Sequence, residues 1–207
     1  HYIRLELFNG ELICSMPGYV AQALKEFEHA SPTSHYKGPS KIDRPDYGVK
    51  VQYVKEDLTK HLQPDQIKFL QRVTGKFLFY ARAIDNTMLH AINDIASETM
   101  HGTEQTLAAA TFFLNYAASN PDGEIIFRAS DMILRIDSDA AYFVCPKARS
   151  RAGGYHYLGS KDGTLFNGPI LVLAKLIKNV MASAAEAEVA GIHINAQPPT
   201  PIRTDNT

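Results

Sequence analysis

Apolar and polar residues alternate over residues 3–16, on both sides of Asn9-Gly10. A period of two is that of a half-buried strand, and Asn-Gly readily takes the positive φ values of a two-residue turn, so the segment predicts a β-hairpin. Ser15, Pro17 and Gly18 mark the start of a short helix, in which Val20, Leu24 and Phe27 recur at steps of four and three. Residues 31–65 carry Pro32, Pro39, Pro45 and Pro64 among many polar residues and predict loop or linker.

Residues 65–119 have the strongest helical periodicity. Asp65 can cap a helix bearing Ile67, Leu70, Val73, Phe77, Leu78 and Tyr80. A second helix is predicted from Thr87 to about Thr99, with Leu89, Ile92 and Ile95 inward. A third begins near Thr103, where T-E-Q-T suits a capped start, and ends before Asn120-Pro121-Asp122-Gly123.

After Gly123 the period changes. Residues 124–128, 132–137, 141–145 and 153–159 read as strands, whereas 170–181 is so apolar that strand pair and helix remain open alternatives. Ser183 to Ala196 predicts a helix stopped by Q-P-P-T-P, and I-R-T-D-N-T a closing short strand. Helices followed by strands and then a helix indicate an α+β or α/β chain.

The 207 residues are 45% hydrophobic and 21% charged, a balance that supports a buried core in one large domain, or in one domain with part of another. Twenty-one Lys and Arg against 22 Asp and Glu leave a net charge of −1. Any nucleic acid would therefore have to meet a local basic patch. Cys14 and Cys145 have no partners at metal-ligand spacing, which argues against a zinc module or disulfide framework. No apolar run reaches the ~18 residues of a membrane span, and no secretory signal is visible. An intracellular protein, cytoplasmic or nuclear and without membrane contact, is expected. The chain starts inside a strand pattern at His1 and stops at Thr207 after an extended stretch, which reads as a piece of a longer polypeptide.

Three carboxylates are candidates for chemistry. Asp139 ends the strand-like I-L-R-I-D-S-D, Glu188 lies in the opening turns of a helix, and Asp205 ends a short strand beside Asn206. Carboxylates from strand ends and a neighbouring helix can converge, and a converged set needs a cation, with oxygen ligands selecting Mg²⁺ or Mn²⁺. Two such ions about 4 Å apart could stabilise the in-line displacement at a phosphodiester. Taken alone, the pattern also suits ordinary surface acids. Lys147, Arg149 and Arg151 fall at every second residue, so one strand face could offer three cations to a phosphate backbone or defend a sheet edge with charge. The eight histidines show no H-E-x-x-H spacing, and no nucleophile elbow is present.

The blocks I-D-S-D-A-A-Y, P-K-A-R-S-R-A-G-G-Y-H-Y-L-G, S-A-A-E-A-E-V-A and P-P-T-P-I-R-T-D-N-T, in that order, resemble the ribonuclease H region of copia-type LTR-retrotransposon polyproteins. Upstream, S-M-P-G-Y-V-A-Q-A-L-K-E-F and G-K-F-L-F-Y-A-R-A-I-D-N-T-M-L-H-A-I look like the end of the reverse transcriptase that precedes it. The resemblance implies a thumb- or connection-like helical segment over residues 1–122, with its linker at 31–64. It implies an incomplete ribonuclease H-like mixed sheet with a helix over 123–207. It makes Asp139, Glu188 and Asp205 the catalytic acids, holding two Mg²⁺ or Mn²⁺ ions. Asp137 and Glu186 are near matches, and the family's fourth acid would fall beyond Thr207. Lys147, Arg149, Arg151, Ser183 and Asn206 become candidate contacts to an RNA–DNA hybrid, the expected partner beside the rest of the polyprotein. Glu188 and Asp205 are 17 residues apart, a spacing short for the family that reads as a deletion. Little or no hydrolytic activity is expected of this chain. The alternative is a non-catalytic, degenerate retroelement product.

Overall fold

The computed structural model describes residues 2–41, 57–145 and 149–197. Strands β1 (Arg4–Phe8) and β2 (Glu11–Ser15) form the expected hairpin. Asn9 and Gly10 both take positive φ, 49° and 79°, the arrangement whose twist matches paired strands. The third strand of this sheet, β3 (Glu124–Arg128), lies antiparallel to β2, with Ile13 opposite Ile126. The change of sheet therefore falls after Arg128, whereas the sequence pattern changes at Gly123.

The helical part is α1 (Tyr19–Glu26), α2 (Pro64–Ala83), α3 (Leu89–Glu98) and α4 (Glu104–Ser119), whose core takes in Cys14 and Ile125 of that sheet. Gln63 and Gln66 form a capping box ahead of α2, with Pro64 as its first residue, so Asp65 sits in the first turn instead of capping. Thr103 and Thr106 satisfy each other's backbone N–H groups at the start of α4. The helical stripes meet in one core, in which Val20, Leu70, Phe77, Tyr80 and Phe113 are fully buried. The Phe77 and Phe113 rings meet edge to face at 5.1 Å, the arrangement their quadrupoles favour. The Tyr80 hydroxyl accepts from Gly123 N–H at 2.9 Å, which fixes the turn between α4 and β3.

The start of α4 is tied to the loop ahead of α2. Asp57 accepts from the Thr103 hydroxyl, and from Thr59 N–H and Oγ1 at 2.9 and 2.7 Å. These bonds, with the Thr103 hydroxyl foremost, hold the Asp57 carboxyl below the usual carboxylate range. A carboxylate with a lowered folded pKa contributes stability above its unfolded pKa of about 3.9 and loses it as pH falls through the folded value. In acid melts from pH 5 downward, the wild type should lose more stability than Asp57→Asn, and the two curves should converge at the acid end.

The second sheet is β4 (Ile133–Cys145), β5 (Arg149–Gly159) and β6 (Pro169–Leu176), all antiparallel. Two strands expected at 132–137 and 141–145 are one strand with an irregularity between Ala141 and Cys145. The ambiguous run 170–181 resolves as β6 followed by non-regular chain up to Ser183. Helix α5 (Ala184–Ala196) starts where Ser183 accepts from Glu186 N–H at 3.1 Å and lies against β4 and β5. The fold is α+β. Both sheets are antiparallel among the described residues, so the parallel pairing a mixed sheet needs is not seen there. Among the described residues no helix is long and apolar enough to cross a membrane.

Candidate functional site

Side chains of successive strand residues point to opposite faces. Ser138 and Ala140 face α5: a Cβ on Gly191 would come within 3.7 Å of Ser138 Oγ and 3.3 Å of Ala140 Cβ. Asp139 lies between them and so projects from the other face, as does Asp137. Tyr155, opposite Asp137, and Gly153, opposite Asp139, complete with Val172 the wall of an open cleft of about 330 Å³. A Cβ on Gly153 would meet nothing nearer than Asp139 O, at 3.8 Å. Burial, with Tyr157 and then Asp137 adding negative charge nearby, pushes the Tyr155 hydroxyl up. That hydroxyl donates to Asn167 O at 2.9 Å. Asp139 Oδ1 accepts from Ala140 N–H at 2.9 Å, which turns part of its carboxylate toward its own strand.

Glu188 is exposed on α5, the helix that covers the opposite face. Asp139 thus projects from the face of the second sheet away from α5, the helix that carries Glu188. Among the described residues no three His, Cys, Asp or Glu side chains gather where they could hold a metal. Asp205, with Lys147 and Asn206, lies outside the described residues.

The remaining candidates have structural partners. Ser183 spends its hydroxyl on the α5 cap, and Glu186 accepts from Ala182 N–H at 2.6 Å, so both serve the helix start. Arg149 is half-buried at the start of β5. Arg151 is 7% exposed: its guanidinium donates to Asp94 of α3 and approaches Cys145 Sγ at 3.7 Å. An arginine expected on an open phosphate-binding stripe is thus turned inward, where it pairs the second sheet with the helical core. Desolvation pushes the Cys145 thiol up despite Arg151 beside it, so that sulfur is not a poised nucleophile.

The sequence reading missed the group that organises this unit. Asn195 is 3% exposed. Its amide nitrogen donates to Ser138 Oγ (2.9 Å), Gly153 O (2.8 Å) and Gly191 O (3.0 Å). Its oxygen accepts from the buried His156 ring at 3.1 Å. A signal was present: Ala187, Gly191 and Asn195 recur every fourth residue and form the buried face, while Val189 and Ile192 face solvent. The inward stripe is small and polar, and the apolar side chains lie outside it.

No protein-family model, curated protein or solved structure matches this chain.

Proposed function

We propose that the chain belongs to the reverse transcriptase–ribonuclease H region of a copia-type retrotransposon polyprotein, and that its second sheet with α5 is a folded, non-hydrolytic module. The observation that carries this reading is the order of elements around the quoted blocks. Asp139 stands in the first of three antiparallel strands, and a Ser-capped helix bearing Glu188 follows the third and lies on the sheet. This is the sequence of parts the resemblance implies. The parent activity is metal-dependent hydrolysis of the RNA strand of an RNA–DNA hybrid.

The non-catalytic form of the reading is favoured by a specific placement: Asp139 projects from the sheet face away from α5, which carries Glu188, and Arg151 and Ser183 are committed to structure. The module's role is then structural, or at most contact with nucleic acid. Incubated with a labelled RNA–DNA hybrid and Mg²⁺, the purified chain should cleave no more RNA than Asp139→Asn does. Mg²⁺-dependent cleavage that disappears in Asp139→Asn would overturn the proposal.

A further inference from the structure

Strand β1 forms the outer edge of the first sheet, and no described strand pairs with its free side. It is also unusually apolar for an edge: Leu5 is 62% exposed, Leu7 79% and Phe8 63%. Natural edges are normally blunted by charge, bulges or covering elements. The free edge of β4 has such defences, Asp137 and Asp139 together with its irregularity; β1 has only Arg4 and Glu6, paired with each other at 2.5 Å.

We propose that β1 pairs antiparallel with β1 of a second copy of this chain, in the one register that sets Arg4 opposite Glu6 of the partner. The two-residue turn makes Phe8 and Glu11 a hydrogen-bonded pair, and bonded and non-bonded pairs alternate from there. Arg4, Glu6 and Phe8 thus spend their backbone groups on β2, whereas Ile3, Leu5 and Leu7 aim theirs outward. Only registers that pair these odd residues with one another use the outward groups. Centred on Arg4, such a pairing sets Arg4 against Arg4; centred on Glu6, it sets Glu6 against Glu6. Centred on Leu5, it sets Arg4 against Glu6 twice, Ile3 against Leu7, and Tyr2 against Phe8. Like charges directly opposite destabilise a strand pair, and opposite charges and aromatic pairs stabilise it. Among the registers centred on Arg4, Leu5 and Glu6, charge therefore selects the one centred on Leu5. The leucines then extend the apolar face already begun by Leu12, Cys14 and Ile125, and a two-fold contact of this kind closes without polymerising.

The test is the mass in solution of the whole chain, by light scattering or sedimentation over a concentration series, with circular dichroism melts to show that each variant folds. The wild type should form a dimer. Arg4→Glu and Glu6→Arg, which make the Arg4-, Leu5- and Glu6-centred registers all like-charged, should each weaken the dimer about tenfold or more. The double variant Arg4→Glu/Glu6→Arg should restore it, and mixing the two single variants should give a heterodimer. A wild type that stays monomeric at its highest soluble concentration, or self-association of the same strength in all four proteins, overturns the inference.

Discussion

Gly154→Ala should be the most damaging single methyl group that can be added to this protein. Gly154 lies in the central strand of the second sheet, and a Cβ there would be placed inside the Asn195 carboxamide. The carboxamide cannot swing aside without abandoning Ser138, Gly153, Gly191 and His156. Overpacking costs about 1–3 kcal/mol, and leaving buried partners unsatisfied adds about 1–3 kcal/mol. A loss of about 3 kcal/mol or more is expected, a fall of about 10 °C in melting temperature for a chain of this size. Asn195→Ala should cost about 2 kcal/mol by orphaning His156 and the Gly153 carbonyl. In the double variant the new methyl group occupies the space the carboxamide leaves, so the combined loss should fall clearly short of the sum. Thermal melts of the four proteins check this, and strict additivity would show that the two positions do not meet.

Asp94→Ala should be more damaging than removing its partner Arg151. Arg151 is buried and Asp94 is about half-exposed. Deleting Asp94 leaves a guanidinium out of water with Cys145 Sγ as a weak acceptor, and among the described residues its Nε already has no partner. Breaking a buried pair in this way costs about 3–5 kcal/mol, which the exposure of Asp94 reduces to about 2 kcal/mol. Arg151→Met instead leaves a carboxylate that water and His90, 3.2 Å away, can reach, and should cost about 1 kcal/mol. Asp94→Ala/Arg151→Met should be more stable than Asp94→Ala alone. A phosphate-binding Arg151 on an open surface would give the opposite order, with Arg151→Met lowering hybrid affinity at unchanged stability.

Local chemistry made much of the fold legible. Asn9-Gly10, the Thr103 box and the Ser183 cap each satisfy backbone groups within a few residues, so sequence alone places them. Strand partners were less accessible. Nothing local to E-I-I-F-R says that it pairs with β2, more than a hundred residues earlier in the chain, and the continuity of β4 depends on an irregularity that the alternation cannot reveal. The site was read least well. An acid's residue type and strand position give its face only once the neighbouring helix is placed, and that choice rests on Gly154, Gly191 and Asn195, small or amide residues with no periodic apolar signal. Arg151 turned inward for the same reason: its partner Asp94 lies on a helix far away in sequence.

If the second sheet is non-hydrolytic because Asp139 projects from the face away from α5, which carries Glu188, the two carboxylates share no ion. A thermal titration with Mg²⁺ and with Mn²⁺ at constant ionic strength tests this most directly. A formed site filled at a hundredfold above its Kd would stabilise the fold by about 2.7 kcal/mol, a rise of several degrees. No saturable rise is expected, and the wild type, Asp139→Asn and Glu188→Gln should titrate identically. A saturable Mn²⁺-dependent rise in the wild type that both substitutions abolish would contradict this.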